Sequence, residues 1–248
     1  HHVPAHFSRV LECALEIAAD TDGAFDPTIG PLVNLWGFGP DPVRDSLPSR
    51  EQILAAKARC GWQRLVLKNG SIEQPGGLYL DFSGIAKGYS VDLIARNLRE
   101  AGISNFLVEV GGELYGFGIK PDAQPWWVTL ENPALSAGDL QTIVALHGLA
   151  VATSGDYRRY FDYDGVRYSH TIDPRTGSAV AASSVVSVLH SSCMHADAIA
   201  TALMVLGIKA GLDYAARRGI AALFTQVEDG KPVQYASPAL LTMAEEAA

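Results

Sequence analysis

Met194-His195-Ala196-Asp197-Ala198-Ile199-Ala200-Thr201-Ala202-Leu203-Met204-Val205 is built almost wholly from small and apolar helix formers, which predicts a buried helix. Asp197 and Thr201 stand four residues apart within it and so share one face. A lone buried carboxylate costs several kcal/mol or more, so Asp197 needs a partner. A carboxylate and a hydroxyl at this spacing are two hard oxygen ligands, suited to Mg²⁺ or Ca²⁺ rather than to a soft metal. From these residues alone a plainer role is favoured, in which Asp197 belongs to the helix start and Thr201 bonds a carbonyl one turn back.

The 248 residues suffice for one large domain or two packed lobes. With 48% hydrophobic and 19% charged residues the chain is not a disordered one. Its net charge of −8 and lack of a Lys/Arg-rich run argue against a nucleic-acid binder. Cys13, Cys60 and Cys193 lack metal-ligand spacing and read as small core residues. No stretch reads as the roughly 20 apolar residues of a membrane span. The chain starts at His1 without Met or signal peptide, as a mature, shortened or incomplete chain would.

Periodicity predicts a first helix over 6–20, a surface helix over 50–60 after the polar connection 41–49, and a helix after Tyr89 with Val91, Ile94, Ala95 and Leu98 inward. Residues 21–40, dense in Gly, Pro and aromatics, are either a ligand-facing loop or one packing Trp36 and Phe38 into the core. Leu65–Leu67 and Leu78–Leu80 are expected as strands flanking the Asn69-Gly70 turn. The second runs into Asp81-Phe82-Ser83-Gly84-Ile85-Ala86-Lys87-Gly88, where a Gly-containing turn and a helix N-terminus could present N–H groups to a phosphate.

Strands are expected over 106–110, 126–130, 142–146 and 149–153, with Leu114–Gly118 following the Gly111-Gly112 pair and 133–139 a loop; lacking intervening helices, the strands should pair antiparallel. A hairpin is centred on Asp164-Gly165. Ser169-His170-Thr171-Ile172-Asp173-Pro174-Arg175-Thr176-Gly177 is either a hydrogen-bonded turn or a site with His170 as proton acceptor. A strand over 185–189 feeds the Asp197 helix. A further helix over 208–218, with Leu212 and Ala216 inward, and a strand over 222–227 follow.

DTDGAFDPTIGPLVNLWGFG at 20–39, DFSGIAKGYSVD at 81–92, SGDYRRYF and SHTIDPRTG within 154–177, and ADAIATALMVLG at 196–207 together closely resemble the ApbE family, in order and spacing, over almost the whole chain. The resemblance implies an α+β architecture related to the tunnelling fold, of largely antiparallel sheets with packed helices, as a single domain over 1–248. It implies Mg²⁺-dependent transfer of FMN from FAD to a Thr or Ser hydroxyl of a partner protein, releasing AMP. Carried onto this sequence, Asp197 and Thr201 would be side-chain metal ligands, and Gly84 would contribute its carbonyl. Ala24, Phe25, Asp26 and Asp81 resemble FAD-contacting positions, joined by Lys87, His170, Ile172 and Thr176. His170 or Asp26 would accept the proton of the attacking hydroxyl.

The resemblance also implies an acceptor flavoprotein subunit of a membrane electron-transfer complex, and a location at the periplasmic face of the bacterial inner membrane, anchored in the full-length form. Family members carry an N-terminal strand region with a Met-Gly-Thr-like segment; this chain begins at the helix that follows, so the domain is expected without that region. Two rival readings share these residues: an FAD pyrophosphatase giving FMN and AMP, and a non-catalytic FAD-binding carrier.

Overall fold

The computed structural model describes residues 2–40, 46–131, 141–155, 159–181, 184–229 and 231–246. The chain divides into two compact units, His1–Gly84 with Asp156–Ala182, and Ile85–Gly155 with Ser183–Ala248. The helices are α1 (Ala5–Asp20), α2 (Gly30–Leu35), α3 (Arg50–Lys57), α4 (Ala86–Glu100), α5 (Cys193–Arg218) and α6 (Pro238–Glu246). The strands run from β1 (Val66–Lys68), β2 (Ser71–Glu73), β3 (Phe106–Val110) and β4 (Glu113–Phe117) to β5 (Trp126–Thr129), β6 (Ile143–Leu146) and β7 (Leu149–Gly155). Then come β8 (Tyr160–Tyr163), β9 (Val166–Asp173), β10 (Ser178–Ala181), β11 (Ser184–His190), β12 (Ala221–Glu228) and β13 (Lys231–Ala236). The expected connection at 41–45 and the loop at 133–139 lie outside the described residues.

In the first unit α1 buries Val10, Leu11, Ala14, Ile17 and Ala18 on one stripe. A capping box starts α3: Gln52 N donates to Ser49 Oγ at 3.2 Å, and Ser49 N donates to Gln52 Oε1 at 2.9 Å. The Asn69-Gly70 turn joins β1 to β2, so the partner strand is 71–73 and not the expected 78–80. Pro75 has no N–H for a ladder, and Gly76 and Gly77 take positive φ, which ends the hairpin before Leu78.

Trp36 and Phe38 are buried, with Leu32, Leu35, Ala56 and Ile172 in one core cluster. The Trp36 indole donates to Gly177 O at 2.8 Å. The 21–40 segment therefore packs its own aromatics, the plainer of the two expectations. The hairpin at Asp164-Gly165 joins β8 to β9, the middle strand of the antiparallel order β10-β9-β8.

The second unit carries a six-stranded antiparallel sheet of order β13-β12-β11-β7-β4-β3. The first half of α5 is buried nearly all round and packs on β7 and β11; α4 packs on β3 and β4. This explains the uniformly apolar sequence of α5, since a helix covered on every side needs no polar face. Gly207 (φ 75°, ψ 173°) breaks the helical path, which accounts for the two helices expected over 194–205 and 208–218.

Beyond the break Gly211, Tyr214 and Ala215 are buried, while Leu212 is half-buried and Ala216 exposed, which shifts the expected inward stripe. Ile94 of α4 is likewise on the exposed side. By length and composition α5 is apolar enough to cross a membrane, contrary to the sequence reading. Its first half is the core helix of this unit.

Candidate active site

The site in the second unit is made where α4 meets α5. Gly88, in the first turn of α4, donates its N–H to Asp197 Oδ2 at 3.0 Å. A Cβ on Gly88 would lie 2.3 Å from Cys193 O and 2.9 Å from Asp197 Cβ, so the helices touch backbone to backbone. The anion at this helix N-terminus is thus the protein's own carboxylate, bound by one of the N–H groups that the sequence offers to a phosphate.

The opposite clamp comes from Asp92 of α4. Its Oδ2 accepts from Ser192 Oγ at 2.7 Å and Met194 N at 3.0 Å, and its Oδ1 accepts from Cys193 N at 2.8 Å. These bonds satisfy otherwise orphaned donors at the start of α5. Each helix therefore holds the other through a carboxylate.

Lys87, beside Gly88, aims its ammonium at Glu113 Oε1 of β4 and lies 3.5 Å from Asp197 Oδ1. Asp197 and Glu113 are each only 2% exposed, so two carboxylates are kept from water around one cation. Burial pulls Lys87 downward, but Asp197 and Glu113 outweigh it and hold the ammonium above its ordinary value. Burial pushes the Glu113 carboxyl up to about 7 against the Lys87 hydrogen bond, with the charge of Asp197 adding to the rise. Burial raises Asp197 too, opposed by Lys87 and the Gly88 N–H.

One turn along α5, Thr201 Oγ1 donates to Asp197 O and lies against Ser154 Oγ of β7, each at 3.2 Å. The Thr201 bond to a carbonyl one turn back is therefore present. Among the described residues no three His, Cys, Asp or Glu side chains form a metal cluster. What the helix offers is a carboxylate and a hydroxyl, hard donors too few for a closed protein cage. That set fits Mg²⁺, which is typically held by one or two carboxylates and completed by water and substrate phosphates. Among the described residues the buried Glu113 Oε2 has no hydrogen-bond partner, a polar atom that Lys87 alone leaves unsatisfied.

The other expected residues belong to the first unit, with Gly84 at its end. Asp26 Oδ1 accepts from Thr28 N and Thr28 Oγ1, both at 2.7 Å, and Thr28 Oγ1 accepts from Gly61 N at 2.7 Å. Burial raises the Asp26 carboxyl against these bonds. Ala24 and Phe25 are buried beside it. Asp81 Oδ1 accepts from Ser83 N at 2.8 Å and Ser83 Oγ at 2.5 Å, an Asx turn leading to Gly84.

His170 Nδ1 donates to Arg159 O at 3.0 Å, which assigns the ring proton to Nδ1 and makes Nε2 the basic nitrogen. Its ring meets Phe38 edge-on at 6.2 Å. The Ile172 side chain is in the core cluster, so only its backbone is available to a ligand. Thr176 is exposed in the β9–β10 turn, where its Oγ1 accepts from Ser178 N at 3.2 Å.

A family model described as the ApbE family matches residues 1–224. The chain belongs to the ApbE family. An FAD:protein FMN transferase of Vibrio cholerae is 43% identical over 230 residues, spanning 92% of this chain and 69% of the relative. One from Escherichia coli K12 is 40% identical over 235 residues, 92% of this chain and 67% of the relative. The apo crystal structure of Pseudomonas stutzeri flavinyl transferase ApbE superposes with TM-score 0.89 at 43% identity, over 97% of this chain and 75% of that one. The ApbE protein from Thermotoga maritima does so with TM-score 0.85 at 32% identity, over 97% and 78%. The expected α+β, ApbE-like fold is therefore the fold of this chain.

Two residues of this ApbE-family site escape a reading of the sequence. Glu113 follows Gly111-Gly112 as one acidic residue in an ordinary strand, and Asp92 looks like a surface position of an amphipathic helix. Only the fold brings Asp92 to the start of α5, 102 residues ahead in the chain at Met194.

Proposed function

We propose that the protein transfers FMN from FAD to a hydroxyl of a target protein. The observation that carries this reading is a buried Asp197 facing the half-exposed Lys87 ammonium, in a chain 43% identical to a protein named FAD:protein FMN transferase. The acceptor oxygen bonds to the FMN phosphorus as the bond from that phosphorus to the bridging oxygen breaks. The bridging oxygen leaves with AMP, and the hydroxyl proton passes to a base.

Asp197 and Thr201 would hold a Mg²⁺ ion, which when bound neutralises pyrophosphate charge and stabilises the leaving group. Gly84 is proposed as a further ligand through its carbonyl. Lys87 supplies a fixed positive charge for the phosphates. His170 Nε2 is proposed as the proton acceptor, in preference to Asp26, whose Oδ1 is already engaged by Thr28. Ala24, Phe25, Asp26, Asp81, Ile172 and Thr176 are proposed to line the FAD site. The acceptor is proposed to be a flavoprotein subunit of a membrane electron-transfer complex, met at the periplasmic face.

Intact-mass measurement after incubation with FAD and Mg²⁺, with and without a Thr-bearing acceptor domain, tests the reading. An FMN mass gained by the acceptor only with Mg²⁺ is expected. Free FMN and AMP with an unlabelled acceptor would make the protein an FAD pyrophosphatase. Intact FAD throughout would make it a carrier.

A further inference from the structure

Both oxygens of Asp197 face a positive group. Oδ2 accepts the Gly88 N–H at 3.0 Å, while Oδ1 lies 3.5 Å from Lys87 Nζ. A cation bound by this carboxylate would approach Oδ1, the oxygen that the ammonium also faces, and two positive charges there repel one another.

Glu113 gives the ammonium another place to be. Its Oε1 is the closer partner of Lys87, and the Glu113 side chain is almost wholly buried. Among the described residues its Oε2 has no hydrogen-bond partner, so this buried carboxyl group is committed to one contact. The turn before it keeps the way clear: a Cβ on Gly111 would lie 3.1 Å from Lys87 Cδ and 3.7 Å from Glu113 Oε2. Pairing Lys87 would need no second carboxylate if Asp197 were meant to satisfy it.

We propose that Glu113 is a positioning residue that holds the Lys87 ammonium off Asp197 Oδ1, leaving that oxygen open to a hard divalent cation. The inference rests on the reading of Asp197 as a metal ligand. Without Glu113 the ammonium settles on Asp197, the remaining carboxylate beside it, and competes with the metal.

Mn²⁺ binding followed by electron paramagnetic resonance, with FAD saturating in every variant so that a weaker Lys87 contact to its phosphates does not enter, reads this without turnover. Glu113→Gln is expected to weaken Mn²⁺ binding by about 10–100-fold, as loss of a group that orients a metal ligand commonly does. Adding Lys87→Met to Glu113→Gln is expected to restore affinity, because the competing ammonium is gone; a merely structural role for Glu113 predicts no such rescue. Glu113→Asp keeps the charge but withdraws it by one methylene, and should fall between wild type and Glu113→Gln. It serves as the second variant should the Gln form not fold. Unweakened binding in these variants, or a double variant no tighter than Glu113→Gln, overturns the proposal. Wild-type protein that takes up no Mn²⁺ overturns the metal reading, and this inference with it.

Discussion

Gly88 and Asp197 are joined by a bond and by close approach: the Gly88 N–H donates to Asp197 Oδ2 at 3.0 Å, and the missing Gly88 side chain is what lets the Cys193 backbone and the Asp197 Cβ come so near. The carboxylate proposed to serve the metal therefore also fastens α4 to α5. Asp92 returns the same kind of bond in the other direction. Helix packing and ligand placement are thus one arrangement, and a change at Gly88 should disturb both.

Gly88→Ala tests that coupling. The added methyl would stand 2.3 Å from Cys193 O and 2.6 Å from Cys193 C, both backbone atoms that no rotamer change can move. Overpacking of this kind costs about 1–3 kcal/mol. Urea unfolding should show a lower midpoint with an unchanged slope, and transfer should fall with it. A variant as stable and active as wild type would mean that the helices can part freely.

Asp197→Asn separates charge from shape. The amide oxygen can still accept the Gly88 N–H, while Lys87 keeps Glu113 as its partner. Burial raises the Asp197 carboxyl, so its ionised form weighs against folding at neutral pH; such a contribution is favourable below the unfolded value and is lost as pH rises through the folded one. The variant should be at least as stable as wild type at pH 7 by thermal melting, yet lose about 10²–10³-fold in transfer rate. Retained turnover would remove Asp197 from the proposed metal site.

The helices of this fold were largely legible because their apolar spacing, caps and glycine stops are local. Gly207 marks the break in α5, and Ser49 with Gln52 marks the start of α3. Strand partners were harder. Leu78–Leu80 is as apolar as a strand, but Pro75-Gly76-Gly77 ends the hairpin before it. Trp36 and Phe38 carry no sign in their sequence of whether they face a ligand or the core. Family motifs pointed to Asp197, Thr201 and Lys87, whereas Glu113 acquires its meaning only from the turn that brings β4 beside α4. Partnerships made through tertiary packing leave no periodicity to read.

His170→Ala examines the proton acceptor. With its Nδ1 proton given to Arg159 O at 3.0 Å, the imidazole is held in the tautomer whose Nε2 can take a proton. Loss of a positioned general base commonly costs 10²–10⁴-fold, so single-turnover flavinylation should slow by about that factor. FAD affinity, followed by fluorescence quenching, should change little. Unchanged transfer would take His170 out of the mechanism, and a loss confined to FAD affinity would make it a binding residue.

Cys60 offers a check on the first unit that is independent of catalysis. Burial pushes its thiol up to about 11, and the nearby charge of Asp26 adds to the shift. Its S–H donates to Ala56 O at 3.5 Å. Because the thiolate is the reactive form, roughly one Cys60 in a thousand is reactive at pH 8. Cys13 and Cys193 are buried. Iodoacetamide at pH 8 should therefore leave the native chain nearly unlabelled and modify all three thiols in urea. The native Cys60 rate should climb with pH until about 11, its folded value. The same shift means that stability contributed by the protonated thiol is intact below the unfolded value of 9.0 and lost as pH rises through the folded one. Rapid native labelling of Cys60 at pH 8 would show that burial and the charge of Asp26 do not hold its thiol protonated.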